Sequence, residues 1–417
     1  MTSKNLSSEE AFIWIWLREQ AIPVVAGKLI KQDKRYFFIY GKSYLERKDA
    51  ISLSPFELPL TAELFEPTGM KIMPACIRDA LPDSWGRRLL EYQYPHLNLQ
   101  ELDYALLSGS NRIGSLDFQQ SATAFISRDL GNISLNDINN FAGVFETDQN
   151  FSKKLAPIFL HGTSVGGARP KCLINIHGVD YIAKFSLSTD YYPLLRTEYL
   201  AMRLAKLVGI DVAEVEFKTF KGRDILLIKR FDRYYKDNNY YKRLILSGLS
   251  LLELDEMEAR YASYIDLADI IRAHFYNPKA QLQELYQRLA FNILIGNTDD
   301  HARNHAAFWD GKHFSLTKAY DICPQMRVGY EANQAMMIEG SAGQRSTFNN
   351  ILSVCDRFLL TRDEARQIIN NQIQTLGDNW HDLCTEIGLK PYEQDRLLGT
   401  VIKSKFALLD WQSPTKK

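Results

Sequence analysis

The chain has 417 residues, and its 50 lysines and arginines balance 50 aspartates and glutamates, so the formal net charge is zero. Hydrophobic residues make up 46% and charged residues 24% of the chain, which is ordinary globular usage and excludes wholesale disorder. The balanced total shows no basic footprint of the kind that proteins use to bind nucleic acid on their own. No stretch approaches the roughly 18 apolar residues of a transmembrane helix.

The N-terminus and the cysteines favour a cytoplasmic location. The first residues, Met1-Thr-Ser-Lys4, lack the layout of a signal peptide. The five cysteines are scattered, odd in number and without a CxxC pair, which argues against a disulfide scaffold or a cysteine-bound zinc. We therefore expect each of them to be a small buried hydrophobic residue: Cys76, Cys172, Cys323, Cys355 and Cys384.

The first part of the chain predicts β-strands over residues 12–45. Aromatic and β-branched residues dominate residues 12–17, although a capping-box pattern at residues 7–10 would instead open a helix. We favour a strand because the apolar run has no 3.6-residue period. Residues 24–30 and 35–40 flank a polar turn and predict a hairpin.

Helical patterns follow over residues 76–107. Pro82 suits a helix start, and Asp83 or Ser84 can cap the N-terminus. The polar residues 147–150 indicate a linker. After a stretch that alternates strands with a glycine-rich loop and a helix, the chain is mainly helical from about residue 255. A Thr361-to-Glu364 capping box precedes one of these helices.

A glycine-rich segment at residues 162–171 reads Gly-Thr-Ser-Val-Gly-Gly-Ala-Arg-Pro-Lys. Gly166 and Gly167 permit the close backbone approach that a nest of N–H groups around phosphate oxygens needs. The segment is not a Walker A loop, because Ala168 follows Gly167. An ordinary surface turn is the alternative interpretation.

Lys184 lies amid apolar residues on a strand that we expect to be central. Burial of a lysine is costly unless the ammonium is paired. The functional interpretation is a cation for nucleotide phosphates, as in protein kinases, with Glu198 of the next helix as its natural partner. The alternatives are a lysine that reaches solvent and a first-turn acid that favours the helix dipole.

The strongest pattern is the order helix, polar loop, hairpin, aspartate. A helix over residues 282–295 stops at Gly296, and Asn297-Thr-Asp-Asp-His-Ala-Arg-Asn304 follows. Asp310-Gly311 then predicts a hairpin turn, and Asp321 comes after it.

Protein kinases use the same order. One loop aspartate orients the attacking hydroxyl, an asparagine five residues later binds magnesium, and an aspartate after the next hairpin holds the metal on the phosphates. The spacing thus makes Asp299 the candidate catalytic base and makes Asn304 and Asp321 the candidate magnesium ligands.

The pattern leaves the roles of two other loop residues open. We interpret Asp300 as a solvated loop acid or a cap, and His301 as either a loop-positioning or a plain structural histidine. His301 and His305 have the spacing of a helical zinc pair. A zinc hydrolase is disfavoured because the glutamate it needs is replaced by Ala302 and because we expect a loop here.

Four segments together resemble the HipA family of toxin serine/threonine kinases: residues 164–171, 230–233, 297–304 and 320–322. Residues 81–89 and 112–116 are similar to that family's N-terminal subdomain. The resemblance covers roughly residues 20–400, and its motifs are specific in combination and order. It implies an α+β fold, two-lobed and kinase-like, with a β-rich N-terminal lobe that includes an accessory subdomain and an all-α C-terminal lobe.

The expected division has three parts. Residues 1–150 would form the β-rich accessory subdomain, residues 151–255 the nucleotide-binding part of the N-terminal lobe, and residues 256–417 the α-helical catalytic lobe. The implied reaction transfers the γ-phosphoryl group of MgATP to a serine or threonine of a protein, with a translation component such as a tRNA synthetase as an example of a substrate.

The resemblance also implies residue roles. Asp299 would be the catalytic base, and Asn304 and Asp321 would hold Mg²⁺. Residues 229–231 would be the hinge that meets adenine by its backbone, although relatives begin it with an acid where this chain has Lys229. The implied nucleotide-binding residues are Val165, Gly166, Gly167, Ala168, Arg169, Pro170, Lys171, Lys184, Lys229, Arg230, Phe231, His301, Asn304 and Asp321.

Regulation and partners are implied in the same way. Ser164 matches the family's autophosphorylated serine, and a phosphate there would repel those of ATP; a loop-capping hydroxyl is the alternative. A small helix-turn-helix antitoxin would be the partner through which the protein meets DNA. The alternative functions are an antitoxin-bound autoregulator with little kinase activity and a small-molecule phosphotransferase on the same scaffold.

Overall fold

The computed structural model describes residues 8–128, 171–187, 190–220, 222–327, 329–338 and 343–411. The chain divides into two compact units. Unit 1 takes the described residues of the ranges 1–188, 218–246 and 308–312, and unit 2 takes those of the ranges 189–217, 247–307 and 313–417. The linker predicted at residues 147–150 lies outside the described residues.

Unit 1 begins with a five-stranded sheet of order β4-β3-β2-β1-β5. Each neighbouring pair is antiparallel, and a register shift between Ile13 and Trp14 bends β1. The prediction of strands and a hairpin in residues 12–40 is confirmed, and the rival helix at residues 7–10 is not formed by its described members. The strands are β1 (Glu10–Ile15), β2 (Val24–Gln32), β3 (Arg35–Tyr40), β4 (Leu64–Phe65) and β5 (Leu116–Gln119).

Short helices accompany this sheet, as the pattern over residues 76–107 predicts. Asp83 is the residue that caps α3, because its side chain accepts a hydrogen bond from the Gly86 N–H at 2.8 Å. Ser84 is the first helical residue. The helices are α1 (Lys42–Leu45), α2 (Ala75–Arg78), α3 (Ser84–Gln93) and α4 (Glu101–Leu107).

A second sheet has four strands in the order β6-β7-β9-β8. β7 lies inside it and pairs antiparallel with β6 and β9. Trp85 and Leu89 of α3 share a hydrophobic cluster with the buried side chains of β6, β7 and β9. The strands are β6 (Lys171–Ile176), β7 (Val179–Phe185), β8 (Val215–Phe220) and β9 (Arg223–Lys229).

The remaining strands are short. β10 (Arg233–Lys236) and β11 (Asn239–Lys242) form a two-stranded ribbon. A three-stranded sheet has the order β12-β13-β14, with β12 at Leu244–Ser247, β13 at Ala306–Trp309 and β14 at Phe314–Leu316. The predicted hairpin turn at Asp310-Gly311 is confirmed, since these residues join β13 to β14.

Helices make up most of unit 2, as the pattern after residue 255 predicts. Thr361 and Glu364 form the predicted capping box, in which each side chain accepts a hydrogen bond from the other residue's backbone N–H. The helices are α5 (Leu194–Leu207), α6 (Gly248–Leu251), α7 (Tyr264–His274), α8 (Pro278–Ile295), α9 (Phe348–Leu352), α10 (Arg362–Glu386) and α11 (Pro391–Leu397).

The α8 helix of unit 2 leads directly into the loop that carries the predicted site residues. Leu282, Leu285, Leu289 and Ile293 are all buried, which confirms the predicted apolar face. The helix ends where predicted, because Gly296 takes a left-handed conformation with φ of 69°. Among the helices that the structure describes, none is long and apolar enough to cross a lipid bilayer.

Replacing Gly296 with alanine should destabilise the protein by about 2–5 kcal/mol, because left-handed strain adds to overpacking. A Cβ atom on Gly296 would lie 2.5 Å from the Val401 carbonyl oxygen. Gly209→Ala is the matched control, since Gly209 also has a positive φ just after a helix but has open space around it. Urea denaturation should show a cost of only about 1–2 kcal/mol for the control. Equal costs would contradict the role of the Val401 contact.

Candidate active site

The loop formed by residues 297–305 follows α8 directly and holds Asp299 and Asn304 in one turn. The His301 N–H donates to the Asp299 carbonyl at 2.9 Å, and the Asn304 side-chain Nδ2 donates to the same carbonyl at 3.1 Å. A short 3₁₀ helix, Ala302–Asn304, closes the turn. The backbone of Asp299 is therefore fixed by the residue that we predict to be a magnesium ligand.

The Asp299 carboxylate is at the surface, yet its environment disfavours the charged form. Asp299 is exposed. Desolvation by nearby protein atoms raises the pKa of Asp299; attraction to His301 opposes this rise, and repulsion from Asp321 and Asp300 adds to it. Negative charge is therefore concentrated around Asp299.

Asp321 lies close enough to Asp299 for their charges to repel, so the hairpin returns the chain to the loop. Its backbone is left-handed, with φ of 57°, which is uncommon for a residue other than glycine. The preceding residue secures this segment, since the Tyr320 hydroxyl donates to the Arg303 carbonyl at 2.6 Å. The structure thus brings Asp299, Asn304 and Asp321 into one region of unit 2, while their chemical roles stay predictions.

Asp300 is a buried anchor, and its interpretation as a solvated loop acid or a cap is wrong. Its side chain is enclosed, and one oxygen, Oδ2, accepts three hydrogen bonds. The donors are the Tyr264 hydroxyl, Asn292 Nδ2 at 2.7 Å and His305 Nε2 at 3.0 Å. Asn297 extends the network by donating to Asn292 Oδ1 at 3.0 Å. The loop is therefore tied to both α7 and α8.

The partners of Asp300 reverse the effect of its burial. Burial alone would raise the pKa of Asp300, but attraction to His305 and hydrogen bonds from His305 and Tyr264 lower it overall. The pKa of the Tyr264 hydroxyl is raised by burial and by the Asp300 charge. Adjacent aspartates therefore have opposite shifts, and only Asp299 is disfavoured as an anion.

The two histidines of the loop have different surroundings. His305 is buried and bonded to Asp300, so it belongs to the structural network. His301 is half-buried, and its Nδ1 atom is enclosed with no hydrogen-bond partner among the described residues. That a nucleotide approaches His301 stays a prediction. In the part of the chain that the structure describes, no group of three or more His, Cys, Asp or Glu side chains is arranged to hold a metal.

Lys184 occupies the inner strand β7, as predicted, opposite Lys171 of β6 and Leu226 of β9. Glu198 is buried in the second turn of α5. The alternative of a first-turn acid near the helix dipole is therefore wrong, because α5 begins at Leu194. Lys184 belongs to unit 1 and Glu198 to unit 2, and their pairing stays a prediction.

Most of the glycine-rich segment lies outside the described residues, including Ser164 and residues 165–170. Its last residue, Lys171, begins β6 and is buried. The Lys171 ammonium forms an ion pair with Asp83 at 3.2 Å. Asp83 therefore caps α3 and also anchors the last residue of the segment.

The predicted hinge, residues 229–231, follows β9 and is fixed by the Arg230 side chain. The Arg230 N–H donates to the Asp180 carbonyl at 2.9 Å, which continues the sheet. The buried guanidinium donates twice to Asp232, at 2.9 and 2.6 Å, and once to the Arg112 carbonyl at 2.6 Å. Arg230 is therefore a scaffold for the hinge backbone through its side chain.

Asp232 is the acceptor at the centre of this scaffold. It accepts hydrogen bonds from the Gly114 N–H at 2.9 Å and from Arg233 at 3.2 Å, besides those from Arg230. Burial would raise the pKa of Asp232, but attraction to Arg230 and Arg233 holds it well below its usual range. Sequence reasoning named Arg230 for its backbone and missed the ionic role of Asp232. The Arg230-Phe-Asp-Arg233 pattern, together with the separate Arg112-Ile-Gly-Ser115 motif, was the available signal.

These features define a mixed α and β protein with several antiparallel sheets. Its candidate site is built from two carboxylates and one side-chain amide, which follow a buried helix in the chain. Two family models match the chain. The HipA-like C-terminal domain matches residues 163–380, and the HipA N-terminal domain matches residues 15–119. The chain belongs to the HipA family.

Relatives and one solved structure agree with this assignment. The serine/threonine-protein kinase toxin HipA of Shewanella oneidensis is 28% identical over 210 residues, which are 44% of this chain and 48% of that protein. A Haemophilus influenzae protein named as a kinase by inference is 28% identical over 179 residues, 39% of this chain and 52% of its own length. The chain thus spans about half the length of these curated relatives.

The fold is also similar to HipA in a solved complex of HipA, HipB and operator DNA from Shewanella oneidensis. The TM-score is 0.67 at 18% sequence identity, and the match covers 93% of this chain and 96% of the other. This likeness supports the fold, including the mixture of helices with antiparallel sheets.

Asp300→Ala should destabilise the protein by about 3–5 kcal/mol, because it leaves three buried donors without their acceptor. Asp300→Asn keeps the shape and one acceptor oxygen, so its cost should be smaller, about 1–3 kcal/mol. Urea denaturation with Asp382→Ala as a surface control measures the series, since Asp382 is exposed on α10. A midpoint for Asp300→Ala equal to that of the control would refute the anchor.

Asp232→Asn should cost about 3–5 kcal/mol at pH 7, because two buried guanidinium groups lose their carboxylate. The folded-state pKa of Asp232 is depressed, so its stabilising contribution is complete above the unfolded pKa of about 3.9 and declines as the pH falls below it. The gap between wild type and variant should shrink by about 1.4 kcal/mol per pH unit below roughly pH 4. Guanidinium denaturation at pH 7, 4 and 3 measures this gap, and a constant gap would contradict the ion pair.

Proposed function

We propose that the protein is a serine/threonine protein kinase that transfers the γ-phosphoryl group of MgATP to a hydroxyl of a protein substrate. The observation that carries this proposal is the convergence of Asp299, Asn304 and Asp321 in unit 2, in the chain order that kinases use. The kinase names of the two relatives support it. A two-lobed kinase architecture is part of the same proposal.

Asp299 is suited to receive the acceptor. It is exposed, so a hydroxyl of another protein can reach its carboxylate. Its raised pKa makes it a better proton acceptor than an ordinary aspartate, because general-base efficiency improves as the pKa approaches the working pH. The fixed backbone keeps the carboxylate in place, so catalysis would rest mainly on positioning.

The side-chain oxygens around Asp299 are the kind of ligand that magnesium prefers. The Nδ2 atom of Asn304 donates a hydrogen bond to the Asp299 carbonyl. Its Oδ1 atom is therefore left to act as a ligand for a hard cation. Asp321 would supply a carboxylate, and a cation would offset its repulsion with Asp299, which adds to the larger effect of desolvation on the Asp299 pKa. Asn304 and Asp321 would hold Mg²⁺, whose positive charge would offset the negative charge of the phosphates.

Nucleotide binding would use residues of unit 1 as well. Lys184 would contact the phosphates, with Glu198 as its partner, and the backbone of residues 229–231 would meet adenine. The buried Arg230–Asp232 pair supports this assignment because it fixes the hinge without using its carbonyl groups. His301 and residues 165–171 would complete the nucleotide contacts.

Regulation and partners complete the proposal. Ser164 would be the autophosphorylated residue that switches the enzyme off by placing negative charge among the phosphate contacts. A HipB-like antitoxin is the proposed partner, because the solved relative was crystallised with HipB and operator DNA. An antitoxin-bound autoregulator with little kinase activity is the second candidate function, and that same complex is the observation that favours it. We propose a cytoplasmic location for either function.

Asp299→Ala should reduce phosphoryl transfer by about 100- to 10,000-fold, because the acceptor hydroxyl loses its base. MgATP binding should persist, since Asn304 and Asp321 remain. Transfer of labelled phosphate from ATP to protein measures the first quantity, and calorimetry with MgATP measures the second. Asp382→Ala, which removes an exposed acid of α10, is the matched control and should keep full activity.

The outcomes separate the candidate functions. Label that enters protein in the wild type and not in Asp299→Ala supports the kinase. Label that enters only small molecules would indicate a phosphotransferase of another substrate class. Unchanged labelling of protein by Asp299→Ala would contradict the assignment of the base, and failure of the wild type to bind MgATP would leave the binding-partner function.

A further inference from the structure

An arch of unit 2, residues 248–264, spans the 297–305 loop and is attached to it at three points. At its start, the Gly248 N–H donates to the His305 carbonyl at 2.6 Å. Only glycine fits there, because a Cβ would lie 2.5 Å from the Ala302 carbonyl oxygen. At its end, the Tyr264 hydroxyl donates to Asp300. Both ends of the arch are therefore fixed on the loop that carries Asp299.

The middle of the arch is attached as well. Glu256 begins a 3₁₀ helix, Glu256–Tyr261, and its Oε1 lies 2.5 Å from Nη2 of Arg303. The backbone carbonyl of Arg303 accepts from the Tyr320 hydroxyl, next to Asp321. The 3₁₀ helix thus stays beside the candidate active site.

The arch is ordered before any partner arrives. Asp255 and Glu258 form a capping box at the start of the 3₁₀ helix. After the helix, Met337 pairs with the chain on both sides of Ser263, by accepting from the Tyr264 N–H and donating to the Ala262 carbonyl, each at 2.9 Å. A surface that is already fixed loses little conformational entropy on binding.

The 3₁₀ helix presents large apolar side chains to solvent. None of its six residues is buried, and Met257 and Tyr261 are 74% and 60% exposed. The Arg260 guanidinium stacks on the Tyr261 ring at 4.9 Å, which holds the ring in place. Single exposed apolar residues are ordinary, but methionine and tyrosine on one ordered turn are typical of protein-binding surfaces.

The net charge around these side chains is negative. Residues 253–261 contain one base, Arg260, and four acids: Glu253, Asp255, Glu256 and Glu258. Among the described residues, Glu256 is the one acid of this group that forms an ion pair, and its partner is Arg303. Asp299 and Asp321 add negative charge in the same region. Electrostatic complementarity therefore favours a basic occupant.

We propose that Met257 and Tyr261, together with the acids of residues 253–258, form the docking surface for a basic segment of the substrate protein that carries the acceptor serine or threonine. An apolar residue of that segment seats against Met257 and Tyr261, and its lysines or arginines face the acids. This inference rests on the proposed kinase function and specifies its substrate class. The three attachments explain how docking delivers a hydroxyl to Asp299.

The test uses the full-length protein, labelled ATP and a positional-scanning library of serine and threonine peptides. The wild type should select an apolar residue at one position and lysine or arginine at others. Met257→Ala/Tyr261→Ala should lose the apolar selection and raise the KM for the best wild-type peptide about 10-fold. The kcat and the KM for ATP should change less than twofold, which a merely unfolded variant would not show.

Two further variants sharpen the result. Tyr392→Ala, another exposed tyrosine of unit 2, should keep the wild-type selection. Glu253→Gln, which removes an exposed charge of the arch, should weaken only the selection for lysine and arginine. Apolar selection that persists in the double variant, or that is lost equally in Tyr392→Ala, would overturn the docking surface.

Failure of the docking surface can be told apart from failure of the kinase function. A wild type that binds MgATP in calorimetry and labels protein, but shows no selection among peptides, would overturn only the docking proposal. A wild type that neither binds MgATP nor labels any protein or peptide would overturn both.

Discussion

The Asp300 carboxylate is the acceptor on which the geometry of the candidate active site depends. Its Oδ2 atom receives hydrogen bonds from α7, from α8 and from the end of its own loop. A buried carboxylate with several donors is stable only while all of them are present, so its surroundings admit few arrangements. The position of the neighbouring Asp299 therefore depends on the contacts of Asp300 as well as on the hydrogen bonds to its own carbonyl.

Unit 1 also contains a buried carboxylate with several donors, next to the predicted hinge. Asp232 is buried, accepts from Arg230, Arg233 and the Gly114 backbone, and joins the end of β9 to a segment more than 100 residues earlier in the chain. In both units a buried carboxylate with a lowered pKa fixes a segment that carries predicted site residues. Such segments lack the regular backbone hydrogen bonds that fix the conformation of helices and strands. Hydrogen bonds to a buried carboxylate fix the conformation of the segment instead.

The sequence was sufficient for features that depend on local chemistry. The α8 helix and its stop at Gly296, the Asp310-Gly311 hairpin and the Thr361 capping box follow from spacing, backbone freedom and caps. The convergence of Asp299, Asn304 and Asp321 was predictable because a helix and a short hairpin leave the chain little choice. Asp300 was misjudged because its burial depends on Tyr264, which lies 36 residues away and carries no marker of its role.

Asp299, the proposed base, and Asp300, the buried anchor, are neighbours whose negative charges are stabilised to different degrees. Asp300 has three donors, so its charge is stabilised and its pKa falls. Asp299 faces carboxylates and partial desolvation, so its charge is destabilised and its pKa rises. In the proposed function, this destabilised charge would favour the uptake of a proton by Asp299 and the binding of a cation beside it. A loop containing only Asp299 would lack the anchoring that holds such repulsive groups together, and a loop containing only Asp300 would have no group left to react.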